Sequence, residues 1–308
     1  MKVLFVASGN KGKVNPLIKA QAVSLEAIGI EIDFFLIQGK GIMGYLKNVP
    51  RLRRQLKDNH YQVVHAHYSF CGFAASLAGA DNSVVSLMGS DIKSNVIFQF
   101  FTRFFAKFFW KATIVKSNRM KNDVHIKNAF VVPNGVNLNQ FKEINQAEAQ
   151  EILKWDRSKI HLLFAANPNR KEKNFELFDN AIKQIDGHEI IVHSLQEVPF
   201  GEMNRLYNAS DGVLLSSLWE GSPNVIKEAM ACNKPVVCTN VGDVEENFGD
   251  VPGFYISDFS VENYAEKIQL LLQFIKNKKE VKGLEKIIEL EISSDKIAQR
   301  ILKIYQST

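Results

Sequence analysis

Two glutamates, Glu220 and Glu228, flank a Ser-Pro-Asn turn in the stretch WEGSPNVIKEAMACNKPVVCTNVGDVEE, residues 219–246. Serine is a preferred N-cap and proline loses nothing at the first helical position, so the turn predicts a helix start. The amides of Asn224 and Val225 would then lie unpaired at the positive end of the helix dipole, where a phosphate can bind. Glu228 follows Asn224 by four residues on the same helix face, and it could accept hydrogen bonds from sugar hydroxyls.

An ordinary capped helix with two solvent-exposed glutamates would have the same local pattern. The context favours a ligand site, because the turn follows the strand-like run GVLLSS. In open α/β sheets, ligands bind at the carboxyl ends of the strands. A second run, PVVCT, ends in Asn-Val-Gly-Asp, which puts another loop at the same edge. We therefore expect both loops to line one binding site.

The elements that position this site belong to two series of short apolar strands that alternate with helical patterns. The predicted strands of the first series are 2–7, 31–37, 62–66, 83–87, 112–115 and 130–132. Those of the second series are 161–165, 189–193, 212–215 and 235–239, followed by helices to the end. Alternation of this kind is typical of α/β domains with a doubly wound parallel sheet.

A polar segment, residues 134–155, separates the two series and is poor in strand formers. We predict two Rossmann-like domains, residues 1–142 and 143–294, that face each other across a cleft. The helix over residues 295–308 has apolar side chains at helical spacing, so we expect one of its faces to be buried against a domain. The chain could return to the first domain to provide this contact.

Charge is distributed unevenly between the two halves of the 308-residue chain. Residues 1–155 carry 20 basic and 10 acidic side chains, so the rest carries 18 of the 38 basic and 23 of the 33 acidic ones. A basic first half suits an anionic ligand or a membrane surface, although drift of surface charge gives the same asymmetry. Three scattered cysteines are too few for a disulfide framework and indicate a cytoplasmic protein, and no apolar run is long enough to span a membrane.

The stretch 219–246 resembles the donor site of glycosyltransferase family 4, whose members are retaining enzymes with the two-domain GT-B fold. The family pattern is roughly E-G-x-P-N-V-x-x-E-A-M-A, then P-V-V-x-T-x-V-G-x-x-x-E. The runs VVPNGVNLNQF (131–141) and YQVVHAH (61–67) are also similar to family segments. The matching positions are Glu220, Gly221, Pro223, Asn224, Val225, Glu228, Ala229, Met230, Ala231, Pro235, Val236, Val237, Thr239, Val241, Gly242 and Glu245 or Glu246.

The resemblance implies that Glu228 binds the ribose hydroxyls of a nucleotide and that Glu220 contacts the donor sugar near its reacting carbon. The diphosphate would lie on the loop between them, formed by Gly221, Ser222, Pro223, Asn224 and Val225.

The family also uses an Arg and a Lys after the first strand of the second domain to stabilise the departing diphosphate. In the run FAANPNRKEKN, Lys173 matches the Lys and is followed by Asn174 where Gly is usual. Arg170 stands outside the usual spacing of the Arg. A solvated basic turn is the alternative interpretation of both.

The first domain carries weaker signals. The loop after the first strand, with Asn10 and Gly12, faces the donor phosphates and the acceptor in the family. His67 ends a buried strand, where a histidine is often a satisfied core residue; we predict a catalytic role for it instead. Many family members have a histidine where Met88 stands, and the following Asp91 matches the family.

Seven phenylalanines lie between residues 98 and 109 and cover about half of a helix circumference at 100° per residue. Arg103 and Lys107 share the opposite side. We expect most of these rings to face the core. The alternative is a peripheral membrane contact, because the arc is wide and basic residues flank it.

From this resemblance we expect the chain to be a retaining glycosyltransferase that uses a nucleotide-diphosphate sugar, in surface polysaccharide assembly. No Asp-x-Asp pair and no His/Cys cluster with metal-ligand spacing occurs, so no metal and no other cofactor is expected. The expected partners are the nucleotide sugar, a glycan or lipid-diphosphate-linked acceptor, and an anionic membrane surface at the inner face of the cell membrane, with no nucleic acid.

Three other functions compete with this one. A nucleotide-sugar epimerase can use the same fold, and a non-catalytic binding module can keep the same residues. A dehydrogenase that uses Gly9 and Gly12 is disfavoured because no complete Gly-x-Gly-x-x-Gly follows the first strand.

Overall fold

The structure is a computed structural model, and it describes residues 1–9, 12–39, 41–89, 96–187 and 189–308. By internal contacts the chain divides into two compact units, Met1–Gly135 with Ser294–Thr308, and Val136–Ser293. The division lies a few residues before the boundary at 142/143 that the sequence suggests. Segment 136–142 lies with the second unit because its polar groups bond there; the Lys142 amide, for example, donates to Asn204 Oδ1 at 3.0 Å.

The first unit is built on a six-stranded parallel sheet of order β2-β1-β3-β4-β5-β6. Its strands are β1 (Lys2–Ser8), β2 (Glu31–Ile37), β3 (Val63–His67), β4 (Ser83–Ser86), β5 (Ala112–Val115) and β6 (Ala129–Val131). Strands β3, β4 and β5 are buried along their whole length and β1 along all but its two end residues, as continuous apolar runs in a parallel sheet require. The strand order reverses between β1 and β3, so the loop after β1 and the end of β3 flank the switch point.

Among the described residues, five helices of the first unit come before the second unit in the chain. They are α1 (Pro16–Glu26), α2 (Gly41–Asp58), α3 (Ser69–Ala78), α4 (Val96–Phe108) and α5 (Asn118–Val124).

Helix α4 corrects the expectation that its phenylalanines face the core. Thr102 is its only buried side chain among the residues that the structure describes. Five of the seven phenylalanines are exposed by 41% or more, from Phe104 at 41% to Phe100 at 63%. The core of this unit is already filled by the sheet, α3 and Trp110, so the helix buries only a narrow stripe.

The second unit is built on a five-stranded parallel sheet of order β11-β10-β9-β7-β8. Its strands are β7 (Ile160–Phe164), β8 (Ile190–Ser194), β9 (Gly212–Leu215), β10 (Val236–Thr239) and β11 (Phe254–Ser257). Its helices are α6 (Gln146–Leu153), α7 (Phe175–Ile182), α8 (Met203–Ala209), α9 (Asn224–Ala231), α10 (Val244–Phe248), α11 (Val261–Lys276) and α12 (Gly283–Glu289). The sequence predicts only helices after Thr239, and strand β11 shows that this prediction was wrong. This short strand at the edge of the sheet is only partly buried, and it pairs in parallel with β10.

The last helix, α13 (Ser294–Ser307), belongs to the first unit and packs against α1. The hydroxyl of its buried Tyr305 lies 2.5 Å from Nδ1 of His65 on β3. No helix in the described part of the chain is both long enough and apolar enough to cross a membrane.

Candidate functional site

The predicted donor-site residues lie in three loops at one edge of the second sheet. The loops follow β7, β9 and β10, which are neighbours in the sheet. The strand order reverses between β7 and β9, so the first two loops border the switch point where open α/β sheets bind ligands. Lys173 follows β7, and Glu220 follows β9.

Hydrogen bonds between the loops hold them in place. The Leu218 amide donates to the carbonyl of Glu172 at 2.9 Å, which joins the β9 loop to the β7 loop. Ser216 Oγ adds a bond of 3.0 Å to the carbonyl of Lys173. Thr239 Oγ1 at the end of β10 donates to the carbonyl of Ser217 at 2.7 Å. The site is therefore preorganised by the backbone of all three loops.

Lys173 and Glu220 form an ion pair across the switch point, through Nζ and Oε1. Both side chains are largely buried, at 11% and 18% exposed. Ser217 Oγ donates to the same Oε1 at 2.8 Å, which fixes the carboxylate further. The next residue, Asn174, has φ 50° and ψ 50°, in the left-handed region that Gly and Asn adopt most readily. The replacement of the family's Gly by Asn174 therefore leaves the turn intact.

Arg170, the other predicted cation, lies apart from this pair. Its guanidinium bonds Oε1 of Glu172, with Nε at 2.8 Å, and the side chain is 59% exposed. The structure thus brings Lys173 to Glu220 and directs Arg170 to a carboxylate of its own turn.

Ser222 does not cap helix α9, which corrects the prediction from sequence. Pro223 occupies the N-cap position, with no side-chain capping bond. Ser222 Oγ instead donates to Asp243 Oδ2 and accepts from Lys227 Nζ, both at 2.6 Å. The hydroxyl bonds a partner 21 residues away in the chain because Lys227 and Asp243 are buried, and buried polar groups require hydrogen-bond partners.

Gly242 allows the β9 and β10 loops to approach each other. Its φ is 62°, and a Cβ there would lie 3.0 Å from the Gly221 carbonyl oxygen and 3.1 Å from Cδ of Pro223. A larger residue would push the loop away from the α9 N-terminus.

The N-terminus of α9 has the features of an anion site. The amides of Asn224 and Val225 belong to the first helical turn, which has no intrahelical acceptor for them. In addition, Asn224 Oδ1 is buried and has no hydrogen-bond partner among the described residues. A buried polar atom without a partner is costly, so its presence here is consistent with a ligand that completes the site.

Glu228 lies one turn deeper and is 4% exposed. Its Oε2 accepts a hydrogen bond of 2.8 Å from the hydroxyl of the buried Tyr207. Burial raises the pKa of Glu228 to about 7, against the lowering effects of the Tyr207 bond and of Lys227. The carboxyl group can therefore change protonation state near neutral pH when a ligand binds.

Sequence reasoning missed the three buried residues that support this turn: Lys227, Asp243 and Tyr207. Burial lowers the pKa of Lys227, although Asp243 and Glu228 act in the opposite direction. A lysine inside the apolar run VIKEAMA was the available signal, since a charged side chain on a buried helix face requires a partner.

In the first unit, His67 and the loop after β1 flank the switch point. His67 is 2% exposed, and its Nε2 has no partner among the described residues. Burial, with a smaller contribution from Lys116, lowers its pKa to about 3. Its neighbour His65 is a satisfied core residue that bonds both Tyr305 and Ser86 Oγ.

The remaining first-domain predictions are only partly open to inspection. Gly12 is exposed with φ 68°, and its amide donates to the Gly9 carbonyl in a tight turn at 2.7 Å. Asn10 and Asp91 lie outside the described residues. Within the described ranges, no three His, Cys, Asp or Glu side chains lie close enough together to hold a metal ion.

Two family models match adjacent segments of the chain. The model described as Glycosyltransferase Family 4 matches residues 15–140, and the model described as Glycosyl transferases group 1 matches residues 139–273. Together they extend over both units and include every donor-site residue of the second unit.

Two curated relatives and one solved structure agree with the family models. The chain is 24% identical over 243 residues to the teichuronic acid biosynthesis glycosyltransferase TuaC of Bacillus subtilis, which covers 69% of this chain and 61% of TuaC. It is 26% identical over 242 residues to the UDP-Gal:alpha-D-GlcNAc-diphosphoundecaprenol alpha-1,3-galactosyltransferase of Escherichia coli, with 64% and 62% covered. The chain thus spans about three fifths of these relatives. HepE of Anabaena, in complex with UDP and glucose, superposes with a TM-score of 0.78 at 17% identity, over 100% of both chains.

Proposed function

The chain belongs to glycosyltransferase family 4 and has the GT-B fold, and from this premise we propose that it is a retaining enzyme that uses a nucleoside-diphosphate sugar. The acceptor is a glycan or a saccharide carried on a lipid diphosphate, in the assembly of a surface polysaccharide. One observation carries the proposal: the Lys173–Glu220 pair lies at the switch point, beside a helix N-terminus with Glu228 behind it.

The donor is recognised at three points along its length. The α9 amides of Asn224 and Val225, on the loop formed by Gly221, Ser222 and Pro223, bind the diphosphate. Glu228 accepts hydrogen bonds from the ribose hydroxyls, and Glu220 contacts the sugar. The solved complex of HepE with UDP and glucose supports this class of donor.

Departure of the diphosphate is stabilised by fixed positive charge. As the bond between the anomeric carbon and the diphosphate oxygen breaks, negative charge grows on the diphosphate. Lys173 and the α9 amides face that charge without a proton transfer. These groups supply the charge that a metal ion supplies in other enzymes, so activity is expected to survive EDTA.

The acceptor hydroxyl attacks from the face that the diphosphate leaves and gives its proton to the departing diphosphate oxygen, so the anomeric configuration is retained. The neutral imidazole of His67, whose Nε2 has no partner in the described part of the chain, is the candidate in the first unit for a hydrogen bond to a substrate hydroxyl. The name of the Escherichia coli relative includes a lipid-linked acceptor. An acceptor of this kind would place the reaction at the cytoplasmic face of the membrane.

Isothermal titration against a panel of nucleoside diphosphates tests the donor site. The preferred diphosphate should bind the parent protein, and Glu228→Gln should weaken it about 10- to 100-fold, the value of a hydrogen bond to a charged group. Glu262→Gln, an exposed glutamate of the same unit, is the matched control and should bind like the parent.

Turnover with a nucleotide sugar tests the reaction itself. NMR of the first-formed product should show the anomer of the donor; the opposite anomer would overturn the retaining mechanism. Turnover of the nucleotide sugar without any acceptor would indicate an epimerase, and nucleotide binding without any turnover would indicate a binding module.

A further inference from the structure

Helix α4 exposes an apolar surface that the donor site does not explain. We call it the phenylalanine face; it consists of Val96, Ile97, Phe100, Phe101, Phe104 and Phe108, exposed by 41–77%. At 100° per residue, the four rings and Ile97 occupy the side of the helix opposite the buried Thr102. Burial of such rings releases free energy in proportion to apolar area, so their exposure to water over one face indicates a binding surface.

The phenylalanine face continues into an apolar groove of about 240 Å³ between α2, α3 and α4. Every lining side chain is apolar or aromatic: Ile42, Tyr45, Leu46, Phe70, Phe73, Ala74, Leu77, Phe98, Phe101 and Phe105. Exposed Ile42, Met43 and Leu46 extend the apolar rim along α2. Because the lining is almost entirely apolar, the groove offers few hydrogen bonds and suits an apolar occupant such as a hydrocarbon chain.

Basic side chains border this surface, and acidic ones are scarce. Helix α2 carries Lys47, Arg51, Arg53, Arg54 and Lys57 against Asp58 alone, its last residue, and α4 carries Arg103 and Lys107 with no acid.

Two of these cations lie directly beside this surface. Arg53 donates to the carbonyl of Leu77, a groove residue, at 2.7 Å. Lys107 Nζ lies 5.1 Å from the ring centroid of Phe108, on the phenylalanine face. The surface therefore combines exposed hydrocarbon with a fixed positive border.

We propose that the phenylalanine face inserts into an anionic lipid bilayer and that a lipid hydrocarbon chain occupies the groove. An apolar helix face bordered by lysine and arginine lies in the membrane interface, with cations at the headgroups and rings among the acyl chains. This inference deepens the proposed function, since it rests on the lipid-linked acceptor for its biological purpose. The binding itself requires neither donor nor acceptor.

Vesicle sedimentation of the full chain tests the surface. The parent protein should sediment with vesicles of phosphatidylglycerol and phosphatidylcholine, and much less with phosphatidylcholine alone. Phe100→Ser with Phe104→Ser and Phe108→Ser should lower the partition coefficient at least tenfold. The matched control, Ile152→Ser with Ile288→Ser, removes two equally exposed apolar side chains elsewhere and should bind like the parent. Equal binding by the triple variant and the parent would overturn the proposal.

Charge removal and depth give independent measurements. Lys47→Gln with Arg54→Gln should weaken binding about fivefold per charge on anionic vesicles. In Phe104→Trp, brominated acyl chains should quench the added indole; if they do not, the face is not inserted.

Two further results separate this proposal from others. Self-association of the lipid-free parent that the triple variant abolishes would assign the face to a contact between copies and overturn the proposal. Nucleotide affinity of the triple variant, measured without lipid, should match that of the parent. The membrane surface and the donor site can therefore fail separately.

Discussion

The carboxyl group of Glu228 has a pKa close to neutral pH, so both of its protonation states are accessible there. Burial raises its pKa from 4.5 to about 7, whereas an exposed glutamate in the unfolded chain keeps the ordinary value. A glutamate with a raised pKa stabilises the fold below its unfolded pKa, and that contribution disappears as the pH rises through 7. The cost of ionising the buried group is on the order of 3 kcal/mol at high pH. A ligand hydroxyl that bonds the carboxylate would offset part of this cost.

We predict that nucleotide binding releases a proton near neutral pH. The ribose hydroxyls require the ionised carboxylate, so affinity should rise up to about tenfold per pH unit below 7 and level off above it. Glu228→Gln should remove this dependence, which separates it from titration of the diphosphate itself. Isothermal titration in buffers of different ionisation enthalpy measures the proton release, and an unchanged proton count in the variant would contradict the assignment.

Lys173 should act on the chemical step more than on binding. We predict that Lys173→Met lowers kcat about 10²- to 10³-fold, the typical effect of removing one preorganised charge-stabilising group. Lys171→Met, on the same turn but exposed, is the control and should keep parental activity.

Arg170→Met decides whether the second cation of the sequence prediction takes part. Because Arg170 pairs with Glu172 on the surface, we expect a loss well below that of Lys173→Met. Steady-state kinetics with saturating donor measures all three variants, and equal losses for Arg170 and Lys173 would assign both to the leaving group.

At the scale of elements, a buried polar chain supports the start of α9. Lys227, Ser222 and Asp243 are each less than 10% exposed and are joined by two bonds of 2.6 Å. This chain connects α9 to the loop after β10, so it fixes the turn on which the diphosphate would lie. Removal of one charge leaves the other buried without its counter-ion.

We predict that Lys227→Met lowers the free energy of unfolding of the second unit by about 3–5 kcal/mol, the cost of a broken buried pair. Combination with Asp243→Asn should cost less than the sum of the single variants, because the remaining charge is then removed as well. Lys276→Met, exposed on α11, should be neutral. Urea denaturation followed by a probe in the second unit measures this, and strict additivity would show that the two residues act separately.

The sequence predicts an element well when the interactions that form it are local, and poorly when they involve residues far away in the chain. Strands 31–37, 112–115 and 212–215 have the predicted bounds, because a run of β-branched and apolar residues between breakers is a local signal. The prediction that Ser222 caps α9 was wrong because its hydroxyl bonds a residue on another loop. The prediction that the phenylalanines of α4 face the core was wrong because an apolar side chain can also form part of an exposed binding surface, and the sequence does not distinguish the two.

The residues of the candidate site have stronger local signals in the sequence than the residues that support them. Glu220, Lys173 and Glu228 lie in motifs with fixed spacing, and the structure brings Glu220 to Lys173 and places Glu228 beneath the same turn. Tyr207 and Asp243 bond residues that lie 21 positions away in the chain, so no local pattern predicts these contacts. Lys227 gives the one local signal, as a lysine inside an apolar run, and its partner Ser222 is five residues away.

At the scale of the whole molecule, the first unit is completed by the last helix of the chain. Helix α13 buries Ile297, Ala298, Ile301, Ile304 and Tyr305. The Tyr305 hydroxyl satisfies His65 in the middle of the first sheet, across 240 residues of sequence. The N-terminal strands therefore depend on contacts that exist only once the C-terminal residues have been made.

We predict that Ile301→Ala, at a position 1% exposed, destabilises the first unit by about 2–5 kcal/mol, the cost of truncating a buried isoleucine. Hydrogen exchange measured by mass spectrometry should show faster exchange in β1 and β3, the central strands beside His65, because they lose the packing of α13. Ile288→Ala, 59% exposed on α12, makes the same chemical change at the surface and should leave exchange as in the parent. If β3 in Ile301→Ala kept its protection from exchange, α13 would not contribute to the stability of the first sheet. The inference that the N-terminal sheet depends on the C-terminal helix would then be wrong.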